Sequence, residues 1–171
     1  MINKKVAELM NLQINKEFYS AYLYLDMANF YADRNLNGFA NWFNVQAQEE
    51  RDHAMLFVKF LQNNNIRPEL EAIAKPDKAF NELIDPLEAS LQHEIYVTES
   101  IHNIYDEALK AKDFRSTQFL DWFVKEQGEE ENSADELIQK YKIFGSDGKG
   151  LYLLDSELGT RVYAPPTLVL D

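Results

Sequence analysis

Apolar residues recur at steps of three and four along four long stretches of this chain, and each stretch predicts a helix with one buried face. The first, from about Lys4 to Asp33, carries Ala7, Met10, Ile14, Glu17, Ala21, Tyr24 and Ala28 behind Asn3, a suitable N-cap. The second, Gly38 to Asn64, carries Phe39, Phe43, Gln46, Glu50, His53, Phe57 and Phe60. A third helix begins between Asn81 and Pro86, where Asp85-Pro86 offers a cap and a first turn. It runs to about Ala111 through Leu87, Leu91, Glu94, Thr98, Ile101, Tyr105 and Ala108. Lys112-Asp113 makes a tight connection with Asp113 as cap. The fourth helix then carries Leu120, Phe123, Gln127, Glu130, Ala134, Leu137, Tyr141 and Phe144 until Gly145 and the loop 146–150 stop it. Leu151 to Leu158 reads as one or two further turns, and Ala164-Pro165-Pro166 opens an extended tail.

The connections set the order of packing. Asp33 to Gly38 is short and polar, so the second helix returns antiparallel to the first. The stretch 65–80, with Pro68 and Pro76, is long for a compact domain. Extended, it spans roughly 50 Å, more than the roughly 40 Å of the second helix. It can run the length of a bundle and leave the second and third helices parallel. The expected fold is all-α: a four-helix bundle with one long crossover between helices 2 and 3 plus a short C-terminal helix. Residues 1–145 form the bundle, and 146–171 add the short helix and tail to the same domain.

Every stripe is interrupted by polar residues, and always near its midpoint. Glu17 lies near the middle of the first helix, Glu50 and His53 of the second, Glu94 of the third, Gln127 and Glu130 of the fourth. Helices of similar length packed side by side bring these residues to one level of the core. Four carboxylates in a dry interior cannot all stay ionised without counter-charge. No Lys or Arg stands in any stripe at that level, which leaves shared protons or cations. Oxygen-rich ligation with one imidazole suits a pair of iron or manganese ions, with Glu50 placed to bridge them. Tyr24, two turns beyond Glu17, reaches the same layer as a core tyrosine or as an electron donor. Glu49, Glu126, Glu129 and Glu130 form a second acidic group that reads equally as a third, weaker cation site or as a solvated face. His93 and His102 fall off the stripe and read as surface or interface side chains.

Composition narrows the function. The 171 residues carry 29 acidic against 17 basic side chains, a formal charge of −12, which argues against nucleic acid as partner. There is no cysteine, so disulfides, thiolate zinc sites and iron–sulfur clusters are excluded. No apolar run reaches membrane-spanning length, and the N-terminus has no secretory pattern. A soluble cytoplasmic protein is expected.

Glu17, Tyr24, Glu49-Glu50-x-x-His53, Glu94 and Trp122-Phe123-Val124-Lys125-Glu126-Gln127-Gly128-Glu129-Glu130, with Gly150-Leu151-Tyr152 near the end, resemble a bacterial non-haem ferritin over nearly the whole chain. Gln127-x-x-Glu130 stands where a bacterioferritin has Glu-x-x-His. Arg51 follows Glu50 where bacterioferritins carry a haem-ligating methionine, so no haem is expected. The resemblance implies an iron store: a hollow shell of 24 subunits in which Fe(II) is oxidised by dioxygen or hydrogen peroxide and kept as ferric mineral. It implies one iron on Glu17, Glu50 and His53, and a second on Glu50, Glu94 and Glu130 with Gln127 nearby. A third would sit on Glu49, Glu126, Glu129 and Glu130. The short last helix would pack around the fourfold axes, and Phe30 and Tyr31 would serve subunit contacts as exposed aromatics. A rubrerythrin-like peroxidase would use a similar bundle, although its Cys-x-x-Cys module is missing. A helical interaction module with protonated core acids is the non-enzymatic alternative.

Overall fold

The computed structural model of the protein describes residues 2–170. Five helices and no strand are found among them: α1 (Lys4–Ala32), α2 (Asn37–Asn63), α3 (Asp85–Lys110), α4 (Phe114–Phe144) and α5 (Gly148–Leu158). The apolar stripes bury in two separate clusters. One joins Val6, Met10 and Ile14 at the start of α1 to Phe57, Phe60 and Leu61 at the end of α2. It also takes Val97, Ile101 and Ile104 from the second half of α3 and Phe119, Leu120 and Phe123 from the start of α4. The other joins Leu23, Met27 and Tyr31 to Phe39 and Phe43, with Leu87 from the start of α3 and Leu137 and Ile138 from late α4. The ends that meet give the directions. α1 and α2 are antiparallel, α3 and α4 are antiparallel, and α2 and α3 run parallel, as the long crossover allows.

The crossover, 64–84, is pinned along α1. Asn11 exchanges hydrogen bonds with the Glu69 backbone, accepting from its N–H at 2.8 Å and donating to its carbonyl at 3.0 Å. Asn15 donates to the Ala72 carbonyl at 3.1 Å. Helix ends follow local chemistry. The Asn3 side chain accepts from the N–H groups of Lys5 and Val6, and Asp113 accepts from Ser116 N–H while also receiving the Asn3 N–H at 2.7 Å. The two caps therefore tie α1 to α4. Beyond α3, Lys112 adopts φ 53°, and the Asp113 N–H reaches back to the Ala108 carbonyl at 2.8 Å. This is a Schellman closure with lysine in the left-handed position that glycine ordinarily fills.

Four sequence expectations change. α5 is longer than one or two turns, because Asp147 caps it from Gly150 N–H at 2.8 Å and brings the loop residues 148–150 into the helix. Asp85 does not cap α3; its carboxylate instead accepts from the N–H groups of Asn81 and Glu82 in the turn before it. Tyr31 is not an exposed aromatic. It is fully buried, stacks on Phe39 and Phe43 and donates its hydroxyl to the Leu83 carbonyl, while Phe30 is half-buried under the Arg34 guanidinium. Finally, α3 touches both α4 and α1, so its buried face is wider than one stripe. Ser90, His93, Val97 and Ile104 sink deeper than Leu91, Thr98 and Tyr105.

Candidate metal centre

Between the two apolar clusters lies a polar layer. Its members sit at the expected midpoints, and side-chain burial is near complete: Glu17 and Glu50 are 1 % exposed, His53, Glu94 and Gln127 2 %, and Glu130 8 %. Atoms of Glu17, Glu50 and His53 that could each ligate a metal lie within 4.8 Å of one another. His53 also closes a second such group with Glu126 and Glu130. The imidazole thus stands between an inner group and an outer one.

Neutral amides and one phenol hold the carboxylates in place. Gln13 donates to Glu17 Oε1 at 2.9 Å, and Gln46 donates to Glu130 Oε2 at 2.6 Å and to Glu50 Oε1 at 3.3 Å. Gln127 donates to Glu94 Oε2 at 3.1 Å, and the Tyr24 hydroxyl donates to Glu94 Oε1. No basic side chain makes a hydrogen bond to Glu17, Glu50, Glu94 or Glu130 among the described residues. Lys16 reaches the layer only indirectly, through Ser100 to Gln13 and from there to Glu17.

Four atoms of this layer are left without hydrogen-bond partners: Glu17 Oε2, Gln46 Oε1, Glu50 Oε2 and His53 Nδ1. His53 Nδ1 approaches Glu50 Oε2 to 3.4 Å, which is ion-pair range if the ring is protonated but not an aligned hydrogen bond. A buried polar atom without a partner is costly. Those of Glu17, Glu50 and His53 converge from two helices and fit a cation that would take all three. The electrostatics agree. Burial, reinforced by the Glu50 charge, lifts Glu17 and Glu94 to about 8. Burial and the nearby Glu94 lift Glu130 to about 8, and burial with Glu130 beside it holds Glu50 well above the usual carboxylate range. Without positive charge from outside, the layer stays largely protonated; with it, the protons leave.

The outer group faces a cavity of ≈ 280 Å³ lined by Glu49, His53, Glu126, Glu129, Glu130 and Arg161 together with the tail around Pro165 and Pro166. Glu49 and Glu129 line this cavity but belong to neither close-set group. Glu129 is largely exposed and paired with Lys125 at 3.0 Å. Glu49 accepts a 2.5 Å contact from Arg161.

A ferritin-like domain matches residues 7–144. The bacterial non-haem ferritin of Campylobacter jejuni is 37% identical over 155 residues, 91% of this chain and 93% of that protein. The chain belongs to the ferritin family. The bacterial non-haem ferritin of a Staphylococcus aureus strain is 34% identical over 95% of this chain and 98% of its own. Among solved structures, an open-pore ferritin from the hyperthermophilic archaeon Archaeoglobus fulgidus superposes with TM-score 0.92 at 41% identity, covering 95% of this chain and 100% of its own. A form of that archaeon's ferritin engineered to be closed gives TM-score 0.93 at 40% identity over 96% of this chain.

Within this ferritin-family chain, several polar residues of the layer escape the stripe argument. Gln13 lies one step off the first stripe, and Arg161 arrives from the far end of the chain. His93, expected as a surface or interface side chain, is buried within the subunit. It shares a 2.7 Å hydrogen bond with Ser20 and lies edge-on to Tyr24. Burial depresses its pKa to about 4, so the ring is neutral and adds no charge to the layer. The widened face of α3 is what draws it in. His102 is exposed, as expected. No described helix is long and apolar enough to cross a membrane.

Proposed function

We propose that this protein is an iron store with ferroxidase activity. In this reading the buried layer takes up two Fe(II) ions, and dioxygen or hydrogen peroxide accepts one electron from each. Two electrons and two protons take dioxygen to peroxide, or peroxide to water. One iron binds Glu17, Glu50 and His53; the other binds Glu50, Glu94 and Glu130, with Gln127 beside it. The observation that carries the reading is the convergence of unpartnered Glu17, Glu50 and His53 atoms in a layer where, among the described residues, no basic side chain is hydrogen-bonded to the carboxylates.

The chain's own groups suit the chemistry. The carboxyls hold protons while empty and release them to charge as iron enters. Anionic oxygen ligands favour Fe(III) over Fe(II), and Gln13, Gln46 and Gln127 orient them without competing charge. Tyr24, bonded to Glu94 and tilted against Phe43, would supply an electron. Glu49, Glu126, Glu129 and Glu130 would hold a third iron. Haem has no role in this reading.

Storage needs a closed particle, and the surface supports one. α1 exposes Leu12, Tyr22 and Leu25, and α5 exposes Tyr152 and Leu153, faces that suit contacts between copies. We assign a homo-oligomer of 24 subunits, with α5 at the fourfold axes. Residues 1–145 form the iron-binding bundle, and 146–171 complete the same domain. The protein works in the cytoplasm without nucleic acid or membrane. The test is stopped-flow Fe(II) oxidation together with particle mass and iron per subunit. Glu50→Ala and His53→Ala should abolish the fast phase while the particle still assembles; unchanged initial rates in both would refute the assignment.

A further inference from the structure

We propose that Arg161 acts as a cation supplied by the chain itself to the outer carboxylate group, occupying Glu49 until a divalent ion displaces it. The C-terminal segment would then set how tightly that group binds metal. This rests on the reading of the outer group as a third cation site.

The Arg161 guanidinium is held from three sides. Nη2 donates to Glu49 Oε2 at 2.5 Å, Nη1 donates to the Trp42 carbonyl at 3.2 Å, and the group lies 4.5 Å over the Trp42 ring. Both ionic partners are shielded, the Arg161 side chain being 24% and that of Glu49 19% exposed. The backbone is fixed at the same point, since the Asn41 amide donates to the carbonyls of Leu158 and Arg161. Farther along, Tyr163 donates its hydroxyl to Asp52 at 2.5 Å, and Trp122 Nε1 donates to Thr167 Oγ1 at 2.8 Å. Leu168 and Leu170 then pack against the first apolar cluster. Residues 161–167 thus form a strap from α2 to α4, and the cavity against His53, Glu126 and Glu130 lies beneath it.

A charge-assisted Arg–carboxylate contact removes one ligand and one negative charge from the group. A divalent ion in the cavity faces two close carboxylates, Glu126 and Glu130, with His53. To recruit Glu49 it must release the guanidinium, which also breaks the stack on Trp42. Affinity for the third ion therefore carries a penalty that the first two ions do not meet. Trp42 reports the exchange.

Metal-free assembled protein titrated with Zn(II), which is redox-silent, tests this by calorimetry with Trp122 in place and by Trp42 fluorescence in a Trp122→Phe variant whose third-equivalent affinity matches it. The wild type should take two tight equivalents and a weaker third, with Trp42 emission changing only at the third. Arg161→Ala should tighten the third equivalent at least tenfold and leave the first two unchanged, and Arg161→Lys should fall between. If Arg161→Ala does not assemble, the Trp42 response of the Arg161 protein decides, and silence at the third equivalent overturns the proposal. A third equivalent of equal affinity in wild type and Arg161→Ala also overturns it, with the inner pair intact. A protein that takes up no tight pair overturns the carboxylate-layer reading and this one together.

Discussion

Glu17, Glu94 and Glu130 carry folded-state pKa values of about 8, each raised first of all by burial. In the unfolded chain they titrate near 4.5. Between these values the folded state binds more protons, so metal-free stability is full below about pH 4.5 and declines as pH climbs through about 8. The thermal midpoint of metal-free protein should fall from pH 5.5 to pH 8.5, and loading with a divalent ion should flatten that fall. A midpoint rising over the same range would mean that the carboxylates already have counter-charge. Gln46 bridges Glu50 and Glu130, so Gln46→Ala should weaken divalent binding by roughly 10–100-fold, the usual cost of losing a residue that orients ligands; calorimetry measures it. At this scale the burial of Glu17, Glu50, His53, Glu94, Gln127, Glu130 and Tyr24 was legible in the sequence, because there depth and period coincide. The sequence failed for Gln13 and His93, which sit beside the stripe on faces widened by a second neighbour. It failed also for Arg161, whose partner Glu49 lies 112 positions away.

Helix ends show the same division. Asn3 and Asp113 were legible as caps because each serves its own helix. The cap of α2 was not, because it comes from α5: Asp155 Oδ1 accepts from Gly38 N–H at 2.8 Å and Phe39 N–H at 3.0 Å. Gly38 looked like punctuation between helices. In fact a Cβ there would lie 1.6 Å from the Asp155 carbonyl oxygen, so only glycine lets α5 dock. Gly38→Ala should therefore cost more than Asp155→Ala. The first forces backbones apart and loses the cap, about 2–4 kcal/mol; the second loses the cap alone, about 1 kcal/mol. Thermal denaturation of metal-free protein ranks them, and equal midpoints would contradict the docking. At the other end of the bundle, Lys112 sits at φ 53°. Lys112→Gly should relieve that conformation and stabilise the protein by about 0.5–1 kcal/mol, read from the same transition.

On the scale of the whole molecule, the bundle is two apolar clusters held apart by one polar layer. Antiparallel and parallel neighbours were both readable from connection lengths, since a chain that must cross the full bundle needs the long segment 64–84. The position of the strap 161–167 was not readable, because its anchors Trp42, Asp52 and Trp122 belong to distant helices. A net charge of −12 adds a general attraction for cations but selects none of them. Selection belongs to the layer. The most direct test is anomalous scattering from crystals soaked in Zn(II) or, without oxygen, Fe(II). Two peaks should appear within the layer, apart from any at the outer group, one within ligating distance of Glu17, Glu50 and His53 and one within reach of Glu50, Glu94 and Glu130. A fully soaked crystal with that layer empty of metal, and the same carboxyls still paired with Gln13, Gln46 and Tyr24, would contradict the account.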